Sequence, residues 1–353
     1  MKQKLKTNKG ITLIALILTI IVLLILAVVA INAVKGDRII AHAKNAKTDY
    51  TKAQTNEQVR LDEYTDYLDT ESSKINGGKT EDAVTITAAN YGDKVAYSAG
   101  GVDDWKIFYK DENYVYIITS DYLNNTNLPT GLKMSTYTNY PYSAYWASAD
   151  DFTSTGAADI TTAIANKYGL GWLSANSNSI NSNARATADL LNVTAWTAKF
   201  GNASKGIEAI GGPTLEMFVK SWNEKSTIQL KTENNATGYF VGPTTTASLS
   251  EVASESDGSK GGYYVNVSGD TNLYKEGSLY FPYTAAKDKC WGYWLASPSA
   301  RYTGSVMGVY QLGLVNGGSS SGSYDYGVRP VVSLPSNIIG GKNASGAWTV
   351  KLD

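Results

Sequence analysis

The pattern of apolar and polar positions changes character three times along the chain. "MKQKLKTNKG" places Lys2, Lys4, Lys6 and Lys9 ahead of any acid, and residues Ile11 to Val34 then run for 24 positions without a charged side chain. At about 1.5 Å of rise per residue this run predicts a helix of roughly 36 Å, enough for a hydrocarbon core of about 30 Å. A secretory signal peptide has a shorter apolar stretch and a small-x-small end, of which "AVVAINAV" is a poor version. Lysines before the span predict the N-terminus inside and the rest of the chain outside. From Ala43 the polar sequence carries Ala46, Tyr50, Ala53, Leu61, Tyr64 and Leu68 at helical steps, a narrow stripe on one face. Such a stripe suits packing against a domain or partner helix, and equally a solvated stalk. Gly77 and Gly78 stop it.

Past Gly78 the period shortens to that of strands. "KVAYS", "WKIFYKD" and "NYVYIITSDYL" are aromatic and β-branched runs, with "KDEN" as a hairpin turn between Tyr109 and Tyr114. Two helical stretches interrupt them. In "ATADLLNVTAWTAKF" the predicted core face is Leu190, Leu191, Val193, Trp196 and Phe200. In "GGPTLEMFVKSWNEK" Pro213 is expected in the first turn, and Leu215, Phe218, Val219 and Trp222 face the core. The Ser/Thr/Gly-rich stretch from Thr232 to Asp270 reads as loops over strand edges. The last ninety residues return to strands, on a framework of Trp294, Leu295, Val306, Val309, Val315, Val328, Val331 and Val332.

Composition narrows the chemistry. Charged residues make up 18% of the chain and the formal net charge is −1, so no polyanion-binding patch follows and nucleic acid is not a partner. One cysteine, Cys290, forbids an intramolecular disulfide framework, and with a single histidine, His42, Cys/His zinc sites are excluded. The acid pairs Asp103-Asp104 and Asp150-Asp151 fit turns and caps, not the two carboxylates flanking a cleft that glycoside hydrolysis needs. "LPSNI" at Leu334 lacks the pattern of a sortase anchor, which leaves the N-terminal helix to hold the chain. No catalytic residue, metal or cofactor is expected.

The junction "KGITLIAL" resembles the class III signal of type IV pilins and their relatives. The resemblance implies cleavage by a prepilin peptidase after Gly10 and methylation of Ile11, with other pilin-like subunits as partners. One departure matters: the fifth mature position, usually Glu in that family, is Ala15. In pilins that carboxylate pairs with a neighbouring subunit's N-terminal amine, so Ala15 removes a register device for filament assembly.

A second resemblance rests on "GYWLASPSA…YGVRPVVSL" with "GGPTLEMFV" upstream. These motifs resemble bacterial domains related to the C-type lectin fold, and more narrowly the formylglycine-generating-enzyme-like variable proteins of diversity-generating retroelements. The enzymes of that fold need a cysteine pair, which is missing, and the short acidic-amide-Pro motifs of lectin calcium sites do not occur. What carries over is display: adenine-directed mutagenesis of a C-terminal segment varies side chains on a binding face. Tyr302, Thr303, Ser305, Gly308, Tyr310, Asn316, Ser319, Ser320, Ser321, Ser323, Tyr324, Asp325 and Tyr326 fit the alphabet this mechanism yields. Leu312 and Leu314 are either framework or diversified, and Gln311 fits poorly and reads as fixed. Tyr, Ser, Gly and Asn are also the residues that paratopes favour, rigid amphipathic rings beside small adaptable hydrogen-bonders. Tyr302, Tyr310, Tyr324 and Tyr326 are the expected aromatic anchors, worth about 1–3 kcal/mol each where they fill pockets.

The combined expectation is an α+β protein, a long N-terminal pilin-like helix followed by a C-type-lectin-like domain of antiparallel strands with two helices. Its parts are a leader (1–10), a transmembrane helix (11–34), a helical stalk (35–76) and a ligand-binding domain (80–353) whose diversified segment covers about 300–327. The implied role is a single-pass cell-surface receptor or adhesin for a protein or glycan, with a minor pilin or pseudopilin carrying a structural head as the alternative.

Overall fold

A computed structural model describes residues 13–34, 89–132, 134–136, 142–146, 162–170, 187–253, 258–282, 290–302, 304–319 and 326–352. The leader, the cleavage site at Gly10 and Ile11, the stalk (35–76) and Asp150-Asp151 lie outside these residues. The chain divides into two units, Met1–Glu81 and Asp82–Asp353.

In the first unit, α1 (Leu13–Val34) is a helix of 22 residues with no acidic first turn and no basic last turn. Its described side chains, 15–29, are exposed and apolar but for Thr19, whose hydroxyl donates back to the Ala15 and Leu16 carbonyls at 2.9 and 2.8 Å. Among the described residues no helix is long and apolar enough by itself to cross a membrane.

The second unit is mixed α+β, mostly sheet with few helices. Its strands are β1 (Lys94–Ala96), β2 (Trp105–Lys110), β3 (Tyr114–Thr119), β4 (Met134–Thr136), β5 (Ala144–Trp146), β6 (Glu208–Ile210), β7 (Leu230–Asn234), β8 (Tyr239–Pro243), β9 (Tyr264–Asn266), β10 (Gly292–Pro298), β11 (Ser305–Tyr310), β12 (Leu314–Ser319), β13 (Tyr326–Gly327), β14 (Val331–Pro335), β15 (Ile339–Lys342) and β16 (Trp348–Val350). Helices α2 (Thr162–Lys167), α3 (Val193–Phe200) and α4 (Leu215–Asn223) accompany them. A seven-stranded sheet has the order β15-β16-β1-β2-β3-β14-β6, and a five-stranded sheet the order β13-β10-β11-β12-β9. Among the described strand pairs only β1/β16 and β10/β13 are parallel; the others are antiparallel.

The "KDEN" turn forms because Asp111 Oδ1 accepts from the Asn113 and Tyr114 amides at 2.9 and 2.8 Å, closing the β2/β3 hairpin. Helix α4 starts two residues later than expected, at Leu215. Thr214 is its cap, its hydroxyl accepting from the Met217 amide at 3.1 Å, while Pro213 precedes the cap and accepts from Ala296 N at 2.8 Å. The Leu215 amide donates to Ser297 Oγ at 2.9 Å, which ties this helix end to β10. Phe218 and Trp222 then pack on Tyr280, with centroids 5.7 and 5.2 Å away. The expected core faces are buried except Val193, which is half-buried. The stretch from Thr232 is not all loop. Polar "LKTEN" pairs with "YFVGP" as the β7/β8 hairpin, its turn held by Asn235 Oδ1 accepting from Thr237 N and Gly238 N.

Strands β1 and β16 are locked by Asp93, whose Oδ2 accepts from Trp348 Nε1 at 2.9 Å and Asn90 N at 3.1 Å and pairs with Lys342 Nζ at 3.1 Å. Burial by itself would raise this carboxyl's pKa, but the donors outweigh it and hold it below the ordinary aspartate value. A depressed folded pKa contributes stability above the unfolded pKa of about 3.9 and loses it as the pH falls through the folded value. Asp93→Asn is therefore expected to cost about 1 kcal/mol at pH 7, with the gap from the parent closing below about pH 4. Denaturant titrations at pH 7 and pH 3 test this, and a gap that does not change with pH would refute it.

Candidate ligand-binding face

The segment singled out by its composition falls on β10, β11 and β12. Val309 pairs with Tyr293 and Val315, and Val315 with Val265, so these side chains share one face with Met307. All five are at most 1% exposed, so this face is the core. The opposite face carries Gly292, Trp294, Gly308, Tyr310, Leu314 and Asn316, with Tyr326 beside Gly292 across the parallel β10/β13 pair.

On that second face the glycines make a floor. A Cβ at Gly308 would lie 2.6 Å from the Tyr326 ring, and one at Gly318 would lie 3.2 Å from the same ring and 3.3 Å from Trp294. Tyr326 fills the space, edge-on to Trp294 with centroids 4.6 Å apart, its hydroxyl donating to Asn316 Oδ1 at 2.9 Å. Trp294 Nε1 in turn donates to Ala144 O at 2.7 Å. The aromatic series continues outward. Tyr326 touches Tyr310 at 6.0 Å, and Tyr310 lies nearly parallel to Trp291 at 6.2 Å and 13°. Exposure rises along it, from 1% at Tyr326 to 41% at Trp291, with Leu312 beyond at 56%.

The expected site residues divide accordingly. Tyr310, Leu314 and Asn316 are half-buried with one edge outward, and Leu312 is exposed. Tyr302 is 62% exposed at the β10–β11 turn, its ring under the Arg301 guanidinium at 5.2 Å. Three expectations need correction. Tyr326 is 1% exposed and Ser305 3%, so both are covered by protein, and Gly308 is buried as the floor beneath Tyr326. Ser319 ends β12; Thr303, Ser320, Ser321, Ser323, Tyr324 and Asp325 lie outside the described residues.

Nor do all the exposed groups meet. Ser319 pairs with Ser305 at the Tyr302 end of the hairpin, whereas Tyr326 and Tyr310 both pair with Gly292 at the Trp291 end. At about 3.4 Å per residue, the six residues of β11 put these ends about 17 Å apart. The face therefore has two exposed poles. Trp291 was missed from sequence because tryptophan lies outside the Tyr/Ser/Gly/Asn alphabet; its only signal is its place directly before a strand.

Between the sheets lies Arg329, wholly buried between β13 and β14. It donates to Thr119 O through Nε (3.0 Å) and Nη2 (2.6 Å) and to Leu279 O through Nη1 (2.9 Å). Its guanidinium lies 4.9 Å from the Tyr293 ring centre. Burial lowers its pKa from the ordinary value and pushes the Tyr293 phenol up to about 12, the nearby cation opposing that rise. Among the described residues no group of His, Cys, Asp and Glu is placed to hold a metal ion. No family profile, curated protein or solved structure matches this chain.

Proposed function

We propose that the chain is a cell-surface ligand-binding receptor, held by a pilin-like helix and presenting the outer face of β10, β11 and β12. One observation carries this reading. Outside α1, the exposed large apolar side chains among the described residues are Trp291, Tyr302, Leu312 and Leu352, and three of these four fall within residues 291–312. Trp291 and Leu312 lie at one end of β10–β12 and Tyr302 at the other, and exposed apolar groups concentrated on one sheet mark interaction surfaces more often than scattered ones do. Behind them the core face is closed and the glycine floor fixed, so exposed positions such as Tyr302 and Leu312 can change without disturbing the core. That division suits a C-type-lectin-like variable protein, in which a rigid frame presents replaceable side chains. Helix α1, apolar on every described side, supports the anchor.

The test is sequencing of the codons for residues 290–330 across a growing population of the source cells. Substitutions are expected at adenine positions of Tyr302, Tyr310, Leu312, Leu314 and Asn316, with Gly292, Gly308, Tyr326 and Arg329 constant. A uniform sequence would sink diversification and leave a receptor for one fixed ligand. Tyr302→Ser is expected to shift stability by less than about 1 kcal/mol, since its side chain is 62% exposed, and Trp291→Ser, whose ring is 41% exposed and stacked on Tyr310, by about 1 kcal/mol. A loss of several kcal/mol in thermal melts would make them structural and remove the face. Mass spectra of the membrane fraction should show chains beginning at Ile11; intact Met1 would count against the prepilin reading.

A further inference from the structure

Arg329 is wholly buried, and its bonds to Thr119 O and Leu279 O use three of the five N–H groups of a guanidinium. A second cation stands on the same sheet. Lys106 pairs with Ile118, so the two side chains share one face, and Ser120, two residues on from Ile118, continues that face beside Thr119. The ladder holds this far, since the Ser120 amide donates to Asp104 O at 2.9 Å. From the five-stranded sheet Tyr293 closes the spot, its ring centre 4.9 Å from the guanidinium.

The groups gathered here are donors in search of an acceptor. Ser120 Oγ is shielded from solvent and has no hydrogen-bond partner. The buried Tyr293 hydroxyl has none for its proton either, because Arg329 beside it carries only N–H groups. Buried hydroxyls are seldom left so, and each asks for a water or an ion. Charge decides between the two. Among the described residues neither Arg329 nor Lys106 belongs to an ion pair, while Lys94 pairs with Asp104 at 3.7 Å. Asp121 is the carboxylate that acts on both cations. Burial lowers the pKa of Lys106; Asp104 and Asp121 oppose this, and Arg329 and Lys94 add to it.

We propose that Lys106, Ser120, Tyr293 and Arg329 hold a small monovalent anion of chloride size. The two cations balance its charge, the Ser120 and Tyr293 hydroxyls donate to it, and half-buried Lys106 gives it a way in from solvent. A water molecule would accept from the same donors but would leave the excess of positive charge unmatched. The bound ion ties the seven-stranded sheet, through Lys106 and Ser120, to Tyr293 of the five-stranded one.

Thermal melts of the full-length protein in detergent, with chloride replacing gluconate at constant ionic strength, test this. Several hydrogen bonds to one anion set an affinity in the millimolar range. Chloride at ten times Kd should raise the folded-to-unfolded ratio about elevenfold and the melting temperature of the second unit by about 3–6 °C. Half of that rise should need about tenfold more chloride in Ser120→Ala and in Tyr293→Phe, and the rise should vanish in Lys106→Met. Each protein is compared with itself in gluconate, so a variant's own loss of stability does not enter. Chloride NMR gives a second reading: the parent should broaden the line of free chloride, bromide should reverse this, and Lys106→Met should not broaden it. An equal rise in parent and variants is a general salt effect and would overturn the site, as would an unbroadened line; either result would make the occupant water. None of these four residues lies on the outer face of β10–β12, so failure here leaves that reading standing.

Discussion

Arg329→Met is expected to destabilise the second unit by about 3–5 kcal/mol, the cost of breaking a buried, charged hydrogen-bond network. Methionine keeps much of the volume, so the loss comes from bonding and not from a cavity. The guanidinium satisfies two carbonyls: buried Thr119 O at the end of β3, and Leu279 O of a half-buried residue in the segment leading to β10. Each stranded buried acceptor costs about 1–3 kcal/mol. The position magnifies the effect, because β13 belongs to the five-stranded sheet and β14 to the seven-stranded one, and Arg329 sits in the short link between them. Losing its bonds loosens the place where the two sheets are tied. At about 2–4 °C per kcal/mol for a domain of this size, the melting temperature should fall by about 10 °C. Lysine should rescue little, since a point ammonium lacks the planar fork that reaches both carbonyls. A drop under about 2 °C for Arg329→Met would mean that water or the backbone satisfies Thr119 and Leu279 once the side chain is gone.

The framework was legible where local pattern and burial agree. Val306, Val309, Val315, Val331 and Val332 alternate or run as buried strands do, and every one lies inside. The Asp111 turn and the helix around Phe218 and Trp222 were legible for the same reason, because turn chemistry and helical period are local properties. What could not be read depends on partners distant in sequence. Strand β7 is polar, "LKTEN", and becomes a strand only because "YFVGP" turns back along it. Tyr326 was assigned outward because its neighbours are Ser, Asp and Gly. Its burial follows from the parallel pairing of β13 with β10 and from two glycines, Gly308 and Gly318, that make room for its ring. Composition alone cannot tell a tyrosine that displays its ring from one that closes a frame. Trp291 fails in the opposite direction: it lies outside the Tyr/Ser/Gly/Asn alphabet, yet it ends an aromatic series at the surface.

Tyr326→Ala is expected to cost about 3–5 kcal/mol, the range for deleting a buried aromatic ring. The ring is 1% exposed and contacts Trp294 and Tyr310, so removing it opens a cavity between the glycine floor and the Trp294 indole. Tyr326→Phe should cost only about 1 kcal/mol, through the lost bond to Asn316 Oδ1. The floor supplies an independent check. Gly308→Ala puts a methyl 2.6 Å from the Tyr326 ring and should cost about 1–3 kcal/mol by overpacking. In the double variant that collision vanishes and the methyl fills part of the cavity, so the two costs should fall short of additive by at least about 1 kcal/mol. Urea titrations of the four proteins of this cycle give the coupling directly. Strong coupling makes Tyr326 part of the frame, and the replaceable surface then starts at Tyr310 and extends to Trp291 and Leu312. Simple additivity with a small cost for Tyr326→Ala would instead place that ring in solvent for much of the time, and return it to the set of side chains that meet the ligand.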